Sequence, residues 1–128
     1  MAYTFNKILD LTFDKAESRV REALAKEGFG VLSEIDVKAT LKKKLDVDFP
    51  RYKILGACNP PNAYKALSAE PRIGTMLPCN VIVRELENGR VEVAAVDPVA
   101  SMQAVNNPSL GEIAGNIRNK LKSVVESL

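Results

Sequence analysis

The side chains with the most chemical potential in this chain are its two cysteines, and both sit in the same local setting. Cys58 lies in Gly56-Ala57-Cys58-Asn59-Pro60-Pro61 and Cys79 in Leu77-Pro78-Cys79-Asn80, each followed by asparagine and flanked by proline. A third short segment, Val96-Asp97-Pro98, adds a carboxylate. Asparagine amides can donate hydrogen bonds to a thiolate or to a bound anion. Backbone N–H groups at a helix start near residue 61 would lower the pKa of Cys58, although two prolines remove two donors. Cys58, Asn59, Pro60, Cys79, Asn80 and Asp97 therefore form a candidate ligand-binding set. Met102, a few residues past Asp97, could add a thioether, and two thiolates with a thioether suit a soft metal such as Cu(I). A redox couple or a site for sulfur species would use the same two thiols. The plain alternative is a pair of small buried residues at tight turns, because free cysteine commonly packs in cores.

Composition removes much competing chemistry. The 128 residues contain no histidine, which excludes imidazole zinc sites, Ser-His-Asp and Cys-His catalysis and His-ligated haem. Of general acid–base candidates, only Asp97 with Glu34 or Asp36 offers a carboxylate group, and nothing in the sequence fixes their separation. No Gly-x-Gly-x-x-Gly or P-loop follows a predicted strand, and no cofactor is named by any motif. Apolar residues at 46% and charged residues at 27% describe a globular chain of one domain, residues 1–128. A net charge of +2 argues against nucleic acid or membrane as a partner. The basic run Lys38, Lys42, Lys43, Lys44, Arg51 and Lys53 has no interleaved aromatic platform and reads as a solvated face. The first residues lack the basic and apolar regions of a signal peptide, so the expected compartment is the cytoplasm, where thiols stay reduced.

The elements that must position these residues can be read in order. Residues 2–9 form a first strand. Thr12 offers an N-cap with Asp14 in the first turn, and Phe13, Ala16, Val20 and Leu24 recur at helical spacing, giving a helix over 13–27. Gly28 supplies the left-handed stop, with Phe29 folding back on Leu24. Residues 29–36 make a second strand, and Asp36 caps a short helix striped by Val37, Leu41 and Leu45. Residues 51–58 make a third strand, with Gly56 and Cys58 on one face and Leu55 and Ala57 on the other. A short helix over 61–70 follows, and Tyr52 and Tyr64 are candidates to line a pocket near the cysteines.

Asn88-Gly89 favours a two-residue type I′ hairpin across 79–97, which sets Asn80 against Asp97 and Glu85 against Glu92. In that register both hairpin faces are substantially apolar, so helices should cover one and a ligand or second subunit the other. Ser109 to Glu112 fits a capping box. It opens a long helix striped by Leu110, Ile113, Ala114, Ile117, Leu121, Val124, Val125 and Leu128. The fold class is α+β: a mainly antiparallel sheet of about five strands, long N- and C-terminal helices on one face, and two short helices in the connections. If the strands bearing the cysteines are antiparallel neighbours, both thiols reach one edge of the sheet.

Gly28-Phe29-Gly30-Val31, Glu34-Ile35-Asp36-Val37-Lys38, Leu55 to Pro60, Pro78-Cys79-Asn80-Val81 and Asp97-Pro98 closely resemble domain-of-unknown-function family 302, in the same order and over nearly the whole chain. The resemblance implies a compact α+β fold similar to the TATA-binding-protein-like class, often associated as dimers, and no established activity. The fold name does not carry DNA binding with it. These readings converge on a small binding module acting as a homodimer, with a thiol-based redox, Cu(I) or sulfur-binding protein as the alternative.

Overall fold

The computed structural model describes residues 2–128. Five strands, β1 (Thr4–Leu9), β2 (Gly30–Asp36), β3 (Tyr52–Cys58), β4 (Cys79–Glu85) and β5 (Val91–Val96), form one sheet in the order β1-β5-β4-β3-β2. Every neighbouring pair is antiparallel. The helices are α1 (Phe13–Lys26), α2 (Val37–Leu45), α3 (Pro60–Ala69), α4 (Pro98–Ser101) and α5 (Ser109–Glu126), with a 3-10 helix over Pro71–Met76. The last of these, of six residues, and α4, of four, are too short for sequence periodicity to register.

The helices start and stop where side chains satisfy their free backbone groups. The Thr12 hydroxyl accepts from Lys15 N at 3.3 Å and caps α1. Phe29 N returns to Leu24 O at 2.9 Å over Gly28, whose φ of 83° a residue with a Cβ would resist. Asp36 caps α2 by accepting from Ala39 N at 3.0 Å. The expected capping box at α5 is not formed. Pro108 occupies the cap position, Ser109 is already helical, and the Asn107 side-chain Oδ1 accepts from Ser109 N at 3.0 Å instead.

The hairpin differs from expectation by one residue. Leu86 N donates to Arg90 O at 2.8 Å and Gly89 N to Leu86 O at 3.0 Å, so the loop is the three residues Glu87-Asn88-Gly89. Gly89, at φ 79°, provides the left-handed position that such a loop requires. The Asn88 side chain accepts from Arg90 N at 3.1 Å and holds it. The one-residue slip re-sorts both faces. Glu85 now opposes Val91, and Arg84 opposes Glu92, to which its Nε donates at 2.7 Å. Asn80 is not set against Asp97. Val81, Val83, Val91, Val93 and Ala95 share the inner face, while Arg84 and Glu92 stand among Ile82, Ala94 and Val96 on the outer one. The outer face is thus mixed rather than apolar.

Side chains gather into two cores. The larger joins the inner sheet face to α1 and the C-terminal half of α5 through residues such as Val20, Leu24, Leu55, Val83, Leu121 and Val124. Burial of each such side chain contributes about 1.5–3 kcal/mol. The smaller core, Ala66, Ile73, Met102, Leu110 and Ala114, belongs to α3, the 3-10 helix and the start of α5. Ile113 touches both.

Candidate functional site

The β3–β4 pairing sets Ala57 directly opposite Cys79, so both cysteine motifs reach the same end of the sheet. Cys79 shares the inner face with Ala57 and is buried, whereas Cys58, the last residue of β3, is half-buried. Both are free thiols. Burial, reinforced by the nearby Cys58, pushes the Cys79 pKa up to about 11. Cys79 is therefore a neutral thiol near pH 7, without the thiolate character that nucleophilic attack or metal ligation needs.

Asn59 has a different employment from the anion donor that its position suggests. Its Oδ1 accepts from Asn62 N at 3.3 Å and from Asn62 Nδ2 at 3.0 Å, which makes it the N-cap of α3 with Pro60 at the first helical position. Its Nδ2 lies 3.4 Å from both Glu27 O and Gly28 O, tying α3 to the turn after α1. Asn116 Nδ2 of α5 donates to Asn62 Oδ1 at 3.3 Å, completing a three-amide chain. An asparagine immediately before Pro-Pro is a capping signal in its own right, and that was the legible clue.

Where the two cores meet at this end of the sheet, a cleft of about 280 Å³ opens. Phe29, Ala57, Cys79 and Ile117 form its wall from the larger core side. Ala63, Leu67, Gly74 and Leu77 face them from α3 and the 3-10 helix, and Leu32, Cys58, Asn59 and Pro78 complete the lining. Leu32 and Leu67 are exposed, extending the apolar surface to the mouth. The size lies just below the range of small-molecule sites, about 300–1,000 Å³. Sequence reasoning found Cys58, Asn59 and Cys79 but not the opposing wall, although Ala63 and Leu67 stand one helical turn apart directly after the motif.

Other expected members lie elsewhere. Asp97 is buried at the start of α4, accepts from Val99 N at 3.0 Å and from Arg118 Nε at 3.2 Å, and does not line the cleft. Met102 sits in the smaller core, so Cys58, Cys79 and Met102 do not assemble as ligands. Among the described residues no cluster of three or more His, Cys, Asp or Glu could hold a metal. Asn80 is exposed on the outer face opposite Gly56, and Pro60 is exposed at the helix start. Neither Tyr52 nor Tyr64 lines the cleft, and Tyr64 is exposed.

The carboxylates are likewise dispersed. Glu34 pairs with Arg21 and lies 3.5 Å from Lys53, and Asp36 caps α2. The basic run is held locally as well. Lys53 reaches Glu17 at 2.9 Å, Arg51 reaches Asp14 at 2.9 Å and lies over the Phe13 ring, and Lys42 reaches Asp46 at 3.0 Å. No helix among the described residues is long and apolar enough to cross a membrane.

No curated protein matches the chain. The crystal structure of an uncharacterized conserved DUF302 protein from Bacillus stearothermophilus is similar, with 30% sequence identity, a TM-score of 0.90, and 98% of each chain covered. The family model for the domain of unknown function DUF302 matches residues 5–128, so this chain, with its cysteine motifs meeting at the cleft between two cores, belongs to the DUF302 family.

Proposed function

We propose that this protein is a small-molecule-binding module whose site is the cleft between its two cores. The observation that carries this reading is the cleft itself: about 280 Å³ of open space at the one place where both cysteine motifs converge. Larger clefts among the described residues each carry charged side chains, whereas this one is lined almost wholly by apolar groups, the usual character of a small-molecule site. The neutral Cys79 thiol and the bonded Asn59 amide serve as wall, not as reactive groups. Nothing in the geometry favours the thiol redox or Cu(I) alternative, because the buried Cys79 stays protonated near pH 7 and Met102 lies in the smaller core.

The outer sheet face supports a homodimer as the working form. Ile8 and Ile35 are exposed there and Ile54, Ile82 and Val96 are half-buried, around the Arg84–Glu92 ion pair. A two-fold contact would let each arginine also meet the partner's glutamate, which makes the face self-complementary.

Native mass spectrometry of the purified protein, alongside its Ala63→Trp variant, tests the binding reading. A small molecule retained by the wild type and lost when the indole fills the cleft, with the circular dichroism spectrum unchanged, supports it. Ligands that bind both forms equally refute it. Sedimentation of the wild type against Ile82→Asp tests the dimer, which the buried carboxylate should dissociate.

A further inference from the structure

Resting on the reading of the cleft as a small-molecule site, we propose that its ligand is uncharged and hydrocarbon-rich, with no ionised group in the part that enters. The lining contains no Asp, Glu, Lys or Arg. An ionised ligand group would lose its hydration there and meet no counter-charge. Three other ways of receiving an anion are also closed. The start of α3 is built from Pro60 and Pro61, which have no N–H to offer. The next two donors are taken, Asn62 N by Asn59 Oδ1 at 3.3 Å and Ala63 N by Asn59 O at 2.9 Å. The Asn59 amide is engaged at both ends, and turning it toward a ligand would uncap the helix.

A cation fares no better. The lining offers it no carboxylate, and the buried Cys79 thiol stays protonated near pH 7. Among the described residues no buried side-chain nitrogen or oxygen lacks a partner, so no unpaired side chain of that kind waits for a polar ligand atom. What the cleft offers is shape and apolar contact from Phe29, Ala63, Leu67, Leu77 and Ile117. That is the chemistry of a hydrocarbon or aromatic body.

The test compares two fluorescent probes with one ring skeleton, neutral N-phenyl-1-naphthylamine and its sulfonated analogue 1-anilinonaphthalene-8-sulfonate, at pH 7. The neutral probe should bind one site per chain roughly tenfold or more tightly than the sulfonate, and Ala63→Trp should abolish its binding. Leu67→Lys, which places an ammonium at the mouth, should narrow the gap by tightening the sulfonate several-fold. Equal affinities, both abolished by Ala63→Trp, would overturn the charge assignment while leaving the cleft as a site. A ratio unmoved by Leu67→Lys would also overturn it. A neutral probe that does not bind, or that binds Ala63→Trp as well as wild type, would remove the site and this inference together.

Discussion

Replacing Asn59 separates a structural tether from a ligand contact. Asn59→Ala removes the N-cap of α3, worth about 1 kcal/mol in typical hosts. It also strips Asn62 Nδ2 of its acceptor, about 1 kcal/mol for a buried amide hydrogen, and deletes two long bonds to the Glu27 and Gly28 carbonyls that together add somewhat less. The sum is about 2–3 kcal/mol, or roughly 7–11 °C in melting temperature for a domain of this length. Asn59→Asp is the sharper variant. Aspartate is ordinarily as good a cap as asparagine, but here it turns an oxygen toward two carbonyls where an N–H₂ group stood. It should therefore lose most of what alanine loses at pH 7. Burial among carbonyls would raise that carboxyl's pKa above its unfolded value, so the folded variant takes up protons and the deficit shrinks as pH falls toward 4. Thermal melts by circular dichroism across pH 4–8 check all of this. Asn59→Asp melting with the wild type at pH 7, or Asn59→Ala losing only 1–2 °C, would refute the tether.

Thiol titration with Ellman's reagent at pH 8 should show one accessible thiol, absent in Cys58→Ala, and a second that reacts only on unfolding, since Cys79 is buried and its pKa lies near 11. Two equally fast thiols would contradict the burial. Gly56→Ala should destabilise by about 1–3 kcal/mol, because a Cβ there would collide with Ser33 Oγ and come within 2.7 Å of Pro78 Cγ. Ser33→Gly should restore only part of that in urea unfolding, since the proline ring remains. Burial acts to raise the Glu17 pKa, but hydrogen bonds from Lys53 and Arg21 outweigh it and hold the carboxyl below its ordinary value. Its stabilisation is present above the unfolded pKa and is lost as acid titrates it in the fold. The melting-temperature gap between wild type and Glu17→Gln should therefore close below about pH 4.

The fold was legible because each long element carries an unbroken period and a local stop: the stripe from Phe13 to Leu24 ended by Gly28, and the stripe from Leu110 to Leu128. The hairpin register was not. Asn88-Gly89 suits both a two-residue and a three-residue loop, and the choice rests on burial of Val91, Val93 and Ala95, a tertiary fact. At the site, the common sheet end for Cys58 and Cys79 followed from antiparallel pairing alone. That Cys79 is buried while Cys58 is half-buried depends on packing around the strand ends, which no spacing along the chain reveals. Asp97 follows β5 directly but is held by Arg118 as the cap of α4, and Met102 lies beyond α4 in the smaller core, so neither lines the cleft. Asn59 caps α3 through its Oδ1, a role that is harder to read because a polar side chain beside a cysteine suggests a donor before it suggests a cap.

The seam between the two cores is closed largely by amides: Asn116 to Asn62, Asn62 to Asn59, Asn59 to the α1–β2 turn, with Asn107 bridging to Ala69 O at 3.0 Å at the far end. Hydrogen bonds of this kind exchange with water at little net loss, whereas prising apart an oily contact does not. The segment from Pro60 to Leu77 is joined to the rest by these amides and by the packing of Ala66 and Ile73 on Leu110 and Ala114, so hydrogen exchange should resolve two tiers, this segment and the sheet with α1. A guest held between the tiers would fasten the upper to the lower, and slow amide exchange would spread from the sheet into α3 as it did so.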